Sequence, residues 1–408
     1  MSSSCPSPHP APPGPDGPSA RTARAVGCRP AGKQHGGSGK LQVEAEIRGR
    51  RRISGKRTFV AVGVVVLALL AGAGWLAKPL WQPWWYAATL CGGSLSGGEL
   101  AGLLPAEQLR ASEDTFGSGR TRLTCGVDES DGRHFVLDVE AEIDTGAPLG
   151  PLGMEFTVPR DVQDVYPASV PGFYGKFGPV IVQECPELGR DSEGRKQRLV
   201  TKVYTHGVES DASPESLRTA VRIANTADAE TGCGAGPLPL PERVEPPREL
   251  SPGRAKGTMC GWLAGQNLPK SPSGKAWKVL APTAPDASIT RCALVDSGTG
   301  EAALHLSGWY GDWAEEPFER LLSANVEIPE DLSPHDALLG PDFGRARARC
   351  AGEPASFLAT SYTRNHDGPA LPMSQVRHLL GAFTADQADR RDCTGVELPG
   401  PKVHPDGD

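Results

Sequence analysis

Residues 58–77 read TFVAVGVVVLALLAGAGWLA, Thr58 to Ala77, twenty residues without a charge. At about 1.5 Å of rise per residue a helix of this length spans roughly 30 Å, the hydrocarbon thickness of a bilayer. Arg48, Arg50, Arg51, Arg52, Lys56 and Arg57 stand before it, and Trp75, Trp81, Trp84, Trp85 and Tyr86 follow at its far end. Basic residues hold their flank in the cytoplasm, and amphipathic rings favour the opposite interface. The expectation is a single-pass protein of the cytoplasmic membrane, with the bilayer as partner through Thr58 to Ala77, the N-terminus inside and the remainder outside. Cleavage as a secretion signal after Ala71-Gly72-Ala73 is the alternative, set against a run longer and a head longer than signal peptides carry.

Charge divides at the same place. Residues 1–57 carry eleven basic and three acidic side chains, a net +8, and residues 78–408 carry thirty-one and forty-six, a net −15. An acidic outer part argues against nucleic acid or anionic lipid head groups as its main partners, because both need a positive surface. Residues 1–57 also hold eight Pro, nine Gly and no Phe, Trp or Tyr. Such a head cannot bury enough apolar surface to offset its ordering entropy, so disorder is expected there.

Eight cysteines follow the apolar run, at 91, 125, 185 and 233, then at 260, 292, 350 and 393. Zinc would need close pairs, and the closest two, Cys233 and Cys260, are 27 apart. An even count in an oxidising compartment reads as disulfides. The gaps of 34, 60 and 48 residues in the first set recur as 32, 58 and 43 in the second. Cys91-Gly92 answers Cys260-Gly261. RLTCGV from Arg122 answers ITRCALV from Ile289, and FVLDVEAEI from Phe135 answers AALHLSGWY from Ala302. LVTKVYT from Leu199 is matched to FLATSYT from Phe357 through their Tyr-Thr pairs. An amphipathic helix follows in each half, with Leu217, Ala220, Val221 and Ala224 in the first and Val376, Leu379, Leu380 and Phe383 in the second. Ser213-Pro214 supplies a cap and a first-turn proline to the first of them.

The expected fold class is therefore α+β: one transmembrane helix, then two tandem, duplicated modules, each a small antiparallel sheet with a helix packed on it and disulfides as staples. The expected boundaries are a head over 1–57, the span 58–77, an aromatic interfacial linker 78–90, module one over 91–240, a Pro-rich spacer 241–257, module two over 258–400 and a disordered tail 401–408. Within a module the first cysteine opens the chain and the second lies in the first clear strand, while the third and fourth flank the last strand and the helix. The expected bridges are thus Cys91–Cys125, Cys185–Cys233, Cys260–Cys292 and Cys350–Cys393, with a nested pairing as the alternative.

No catalytic, cofactor or metal-binding set stands out. G-x-S-x-G, G-x-x-x-x-G-K-[ST], H-E-x-x-H and EF-hand spacings do not occur. Asn365-His366-Asp367-Gly368 has turn composition. Polar residues differ between the halves, His305 standing opposite Asp138 and His206 opposite Arg364, so a duplicated active site is not expected. The function classes left are a membrane-tethered binding or scaffolding protein of the cell envelope, its partner an envelope protein or a small ligand, and an extracytoplasmic hydrolase whose residues are scattered along the chain.

A basic head, one apolar span and outer modules whose last helix leads to Cys-x-x-x-x-Leu-Pro (Cys233 to Pro239, Cys393 to Pro399) resemble uncharacterised single-pass or secreted proteins of high-GC actinobacteria. The opening Cys91-Gly-Gly-Ser-Leu-Ser-Gly-Gly-Glu-Leu is similar to the start of actinobacterial lipoprotein domains. The resemblance implies a framework and no activity.

Overall fold

In the computed structural model the apolar run lies within helix α1, Glu46–Leu76. Its stretch Phe59–Leu76 is long and apolar enough to cross a membrane, a test that a signal sequence also passes, and none of it is buried in the protein. The basic residues 46–57, expected in a disordered head, belong to this helix. Once the apolar run nucleates a helix, extending it through Arg, Lys, Glu and Ile adds one hydrogen bond per residue fixed. The described residues are 46–104, 109–112, 122–129, 135–144, 152, 164–175, 178–192, 194–205, 213–242, 247–282, 287–311, 314–315, 333, 336–362 and 369–404. The rest of the expected head, Cys5 and Cys28 included, lies outside them.

Contacts divide the chain at Leu70/Ala71, and the second unit carries the sheets. It opens with α2, Lys78–Thr89, where an interfacial linker was expected. Pro79 is tolerated in a first turn, whose N–H groups have no intrahelical acceptor; Pro83 forgoes one hydrogen bond. A short helix α3, Gly97–Leu103, follows. The first sheet contains β1 (Leu109–Ser112), β2 (Arg122–Glu129), β3 (Phe135–Asp144), β4 (Asp164–Val165), β5 (Gly172–Tyr174), β6 (Pro179–Glu184) and β7 (Arg198–Thr205), ordered β1-β2-β3-β7-β6-β5-β4. Helix α4, Pro214–Thr231, comes after it. The Ser213 hydroxyl accepts from the Ser216 N–H at 3.1 Å, and Gly232 closes the helix at φ 68°.

The second sheet contains β8 (Arg248–Leu250), β9 (Trp277–Ala281), β10 (Ile289–Asp296), β11 (Ala302–Tyr310), β12 (Phe343–Cys350), β13 (Glu353–Thr360) and β14 (Cys393–Glu397), ordered β14-β12-β13-β11-β10-β9-β8. Helix α5, Met373–Arg390, precedes β14. Strand β8 comes from the expected Pro-rich spacer. Its three residues contain no proline and pair antiparallel with β9, so the end of the spacer is the sheet's edge. The expected tail is also partly ordered: the His404 N–H donates to the Leu339 carbonyl at 2.8 Å. Residues 405–408 lie outside the described set.

Five strands in each sheet occur in the same spatial order, β1-β2-β3-β7-β6 in one and β9-β10-β11-β13-β12 in the other. Their registers agree too. Cys125 pairs with Val139 and Cys292 with Leu306. The next rung is Val203 in one sheet and Ala359 in the other. The second and third strands slip register just after Val127 in one sheet and just after Leu294 in the other, each two residues beyond the second cysteine. This register sets Leu199 level with Ala355, two residues away from the match that the Tyr-Thr pairs indicate. A slip of two leaves every side chain on its own face, so the hydrophobic pattern cannot detect it.

Alternation sorts the side chains into layers. Leu123, Cys125, Val139, Leu199 and Val203 face α4, together with its buried Leu217, Ala220, Val221 and Ala224. Cys292, Leu304, Leu306, Ala346 and Phe357 face α5 with Val376, Leu379, Leu380 and Phe383. The opposite faces of the two sheets meet each other, giving the order helix, sheet, sheet, helix. Four disulfides join Cys91 to Cys125, Cys185 to Cys233, Cys260 to Cys292 and Cys350 to Cys393, the expected pairs. Each closes a loop of 32 to 48 residues.

Candidate interaction surfaces

Helix α2 has two unlike faces. On one, Gln82 is 1 % and Tyr86 5 % exposed. The Gln82 amide accepts from the Leu109 N–H at 3.3 Å and donates to its carbonyl at 3.4 Å. The same carbonyl takes the Tyr86 hydroxyl at 2.8 Å and the Lys78 ammonium at 3.2 Å. Burial pushes the Tyr86 phenol pKa up. These contacts occupy both main-chain groups of the first residue of edge strand β1. The other face exposes Leu80 (80 %), Trp84 (63 %), Trp85 (58 %) and Trp81 (43 %).

The rings on that face are held in place. Trp81 donates to the Gly74 carbonyl at 3.2 Å and meets Trp85 edge-on at 6.3 Å between centroids. Trp84 lies over Gly97, where a Cβ would come within 2.5 Å of the ring. Past the helix, Cys91, Gly92 and Gly93 all take positive φ, which turns the chain so that Cys91 reaches Cys125. Glu99 on α3 then receives Arg222 at 2.9 Å and Arg218 at 3.5 Å from α4.

The seam between the sheets is apolar. Val165, Phe173, Val180, Val182 and Val200 of the first pack with Ala287, Ile289, Trp309 and Ala314 beside the second. Phe173 and Trp309 meet edge to face at 5.9 Å. Lys196 bridges the two sheets, 3.1 Å from Glu184 and 3.3 Å from Glu353. The hydrogen bond to Glu184 foremost, with Glu353 adding and burial opposing, raises the Lys196 pKa. This bridge is exposed and contributes little. On the seam side of the second sheet, Arg345 is fully buried, with Glu315 and Ser356 as partners.

Alternation places Asp138, Glu140, Glu142 and Asp144 in a row on the face of β3 away from α4. Asp144 lies 3.8 Å from Arg198 and Glu140 3.8 Å from Lys202, both cations on β7. The row is thus a strip of mixed charge. No periodicity of Leu and Val marks it, although the alternating acids in VLDVEAEID were visible in the sequence.

Other polar groups serve the framework. Asp296 accepts from the Ser273 N–H at 2.7 Å, from the Ser273 hydroxyl and from the Gly298 N–H at 2.8 Å. Burial opposes its charge, but these donors outweigh it and hold the carboxyl below its usual pKa. Tyr310, buried under the Arg391 guanidinium at 3.9 Å, shares hydrogen bonds of 3.0 Å with Thr290 and Gln387. Burial pushes its phenol pKa up, against the Arg391 charge.

All eight cysteines singled out in the sequence are in the four disulfides. His305 lies 3.4 Å from Arg291, and His378 sits exposed on α5. His134, His206, His335 and His366 lie outside the described residues, as does the Asn365–Gly368 turn. Among the described residues no three His, Cys, Asp or Glu are placed to hold a metal ion. The two-faced α2 is the feature that sequence reading missed; the signal was Gln82 and Tyr86, four apart and opposite the tryptophans. A scan of family models, a search of curated proteins and a search of solved structures each find no match to this chain.

Proposed function

We propose that the chain is a single-pass, membrane-anchored protein of the cell envelope whose outer part is a duplicated sheet-and-helix module used for binding or scaffolding. The observation that carries this is an unburied apolar helix, Phe59–Leu76, followed in the same chain by four disulfides. An apolar helix of that length needs lipid or removal, and disulfides persist outside the reducing cytoplasm. The basic cluster Arg48 to Arg57 sets the N-terminus inside.

Duplication is supported by the shared five-strand order, the register slips after Val127 and Leu294, and disulfides joining first to second and third to fourth cysteine in both halves. Binding or scaffolding is favoured over hydrolysis because the faces that the modules turn towards each other are joined by Phe173, Trp309 and aliphatic side chains.

Protease added to intact spheroplasts tests the topology. Loss of residues 90–408 with the head spared is the expected result. Protection of the large part reverses the topology, and a mature N-terminus at Gly74 replaces the anchor with a cleaved signal.

A further inference from the structure

We propose that the exposed Leu-Trp face of α2 lies in the headgroup–acyl boundary of the outer leaflet, so that the first sheet is carried against the membrane surface by its own edge strand. The inference rests on the anchor reading above and extends it from the span to the folded part of the chain.

The argument starts from an inversion. A helix on a water-soluble domain turns its apolar stripe inward and its polar residues outward. Helix α2 does the reverse: Gln82, Tyr86 and Lys78 are spent on Leu109, while Leu80, Trp81, Trp84 and Trp85 point away from the protein. Leu76 at the end of α1 and Leu80 in the first turn of α2 are 82 % and 80 % exposed. Scattered exposed apolar residues are ordinary, but a contiguous face with three tryptophans marks an interaction surface.

Continuity with the apolar helix decides the occupant. The candidate span ends at Leu76, and α2 begins two residues later at Lys78. Trp81 is five residues beyond the span and Trp85 nine, roughly 8 and 14 Å along a helix axis. The headgroup zones together add only about 10–15 Å to the hydrocarbon core. Ala77, with ψ near 1°, separates the two helices. A helix laid along the surface from that break keeps all three rings at one depth, where an indole's apolar body and N–H are both accommodated. Lys78 suits the same boundary, its ammonium 5.2 Å over the Trp75 ring and donating to the Leu109 carbonyl.

The rings are also preset. Trp81 is tied to Gly74, Trp85 is set edge-on against Trp81, and Trp84 rests on Gly97. Presenting them to lipid therefore needs no refolding of the face.

Full-length chain reconstituted into phosphatidylcholine vesicles, with or without lipid brominated near the carbonyl end of one acyl chain, tests the proposal by tryptophan quenching. Trp75→Phe removes the ring that belongs to the span. Three of the seven tryptophans that remain lie on the α2 face, so bromolipid is expected to remove roughly a third of the emission. Adding W81F, W84F and W85F should abolish that loss. Non-reducing peptide mapping of the four disulfides checks that each variant has folded, and the Trp75→Phe measurement stands without the fourfold variant.

Emission unchanged by bromolipid overturns the proposal, and does so with a named culprit if copies cross-link through α2, since the face then belongs to a second chain. Carbonate extraction of the same vesicles separates the two readings. Chain retained but unquenched refutes the interfacial helix and leaves the anchor standing. Chain extracted yet quenched before extraction supports the interfacial helix and refutes the anchor. Extraction without quenching refutes both.

Discussion

Truncating either ring of the inter-sheet seam should loosen the contact between the modules, and truncating both should cost less than the two losses added together. Phe173 is fully buried and Trp309 is 2 % exposed, so each loses a close-packed environment on replacement by Ala. Such truncations cost about 3–5 kcal/mol apiece. Against a total stability of about 5–15 kcal/mol, one of them is a large loss. The rings meet edge to face at 5.9 Å and 82°, a geometry worth about 0.5–1.5 kcal/mol beyond area burial. Phe173→Ala and Trp309→Ala also open the same space, which adds to the coupling. The double variant should therefore be more stable than additivity predicts by at least about 0.5–1.5 kcal/mol. Urea denaturation of the full chain in detergent, followed by far-ultraviolet circular dichroism with the disulfides intact, measures all four corners of the cycle. Splitting of the transition in the single variants would show the modules unfolding separately once the seam is weakened. Additivity within about 0.3 kcal/mol would refute the reasoning, because rings that share a contact cannot be independent.

Three further outcomes are expected. Gln82→Ala strips the Leu109 N–H of the amide oxygen that Gln82 offers at 3.3 Å, and should cost about 1–3 kcal/mol and speed hydrogen exchange along β1; unchanged exchange there would mean that α2 does not guard the edge. Asp296→Asn should cost about 1–3 kcal/mol at neutral pH by weakening charge-assisted hydrogen bonds from Ser273 and Gly298. Since the folded pKa lies below the unfolded value of about 3.9, the contribution of Asp296 is complete above about pH 5 and is lost as pH falls through the folded pKa. Wild-type and variant melting curves should accordingly converge in acid, and a gap that widens in acid would reverse the sign. Replacing Cys350 and Cys393 by Ser opens a 43-residue loop and should cost about 4 kcal/mol in the chain-entropy account; a loss near zero in urea denaturation would leave that bridge without a stabilising role.

The sequence alone determined what rests on local pattern and on chain order. Twenty uncharged residues state an apolar helix of bilayer length whatever follows, because about 20 residues at about 1.5 Å each span roughly 30 Å. Leu217 to Ala224 and Val376 to Phe383 place the two helices by period, and Ser213 and Pro214 mark where the first begins. The order of cysteines against strands and helices was enough to choose the disulfide pairing, since first and second, and third and fourth, flank adjacent elements. Tertiary structure decided everything that depends on which face meets which. Pro79 and Pro83 disguised α2 as a linker; its helical form is supported by Gln82 and Tyr86 gripping a residue 23 to 27 positions away. Arg248–Leu250 looked like spacer because a strand of three residues has too short a period to read, and it becomes a strand only where β9 offers an edge. The sheet registers set Leu199 level with Ala355 and not Phe357, a two-residue difference that the sequence could not display because alternation repeats every two residues. The seam could not be foreseen either, since Val180, Val182, Val200 and Ile289 read as strand residues buried on some face, and packing of one sheet on the other is a contact between residues far apart in the chain that no local period encodes.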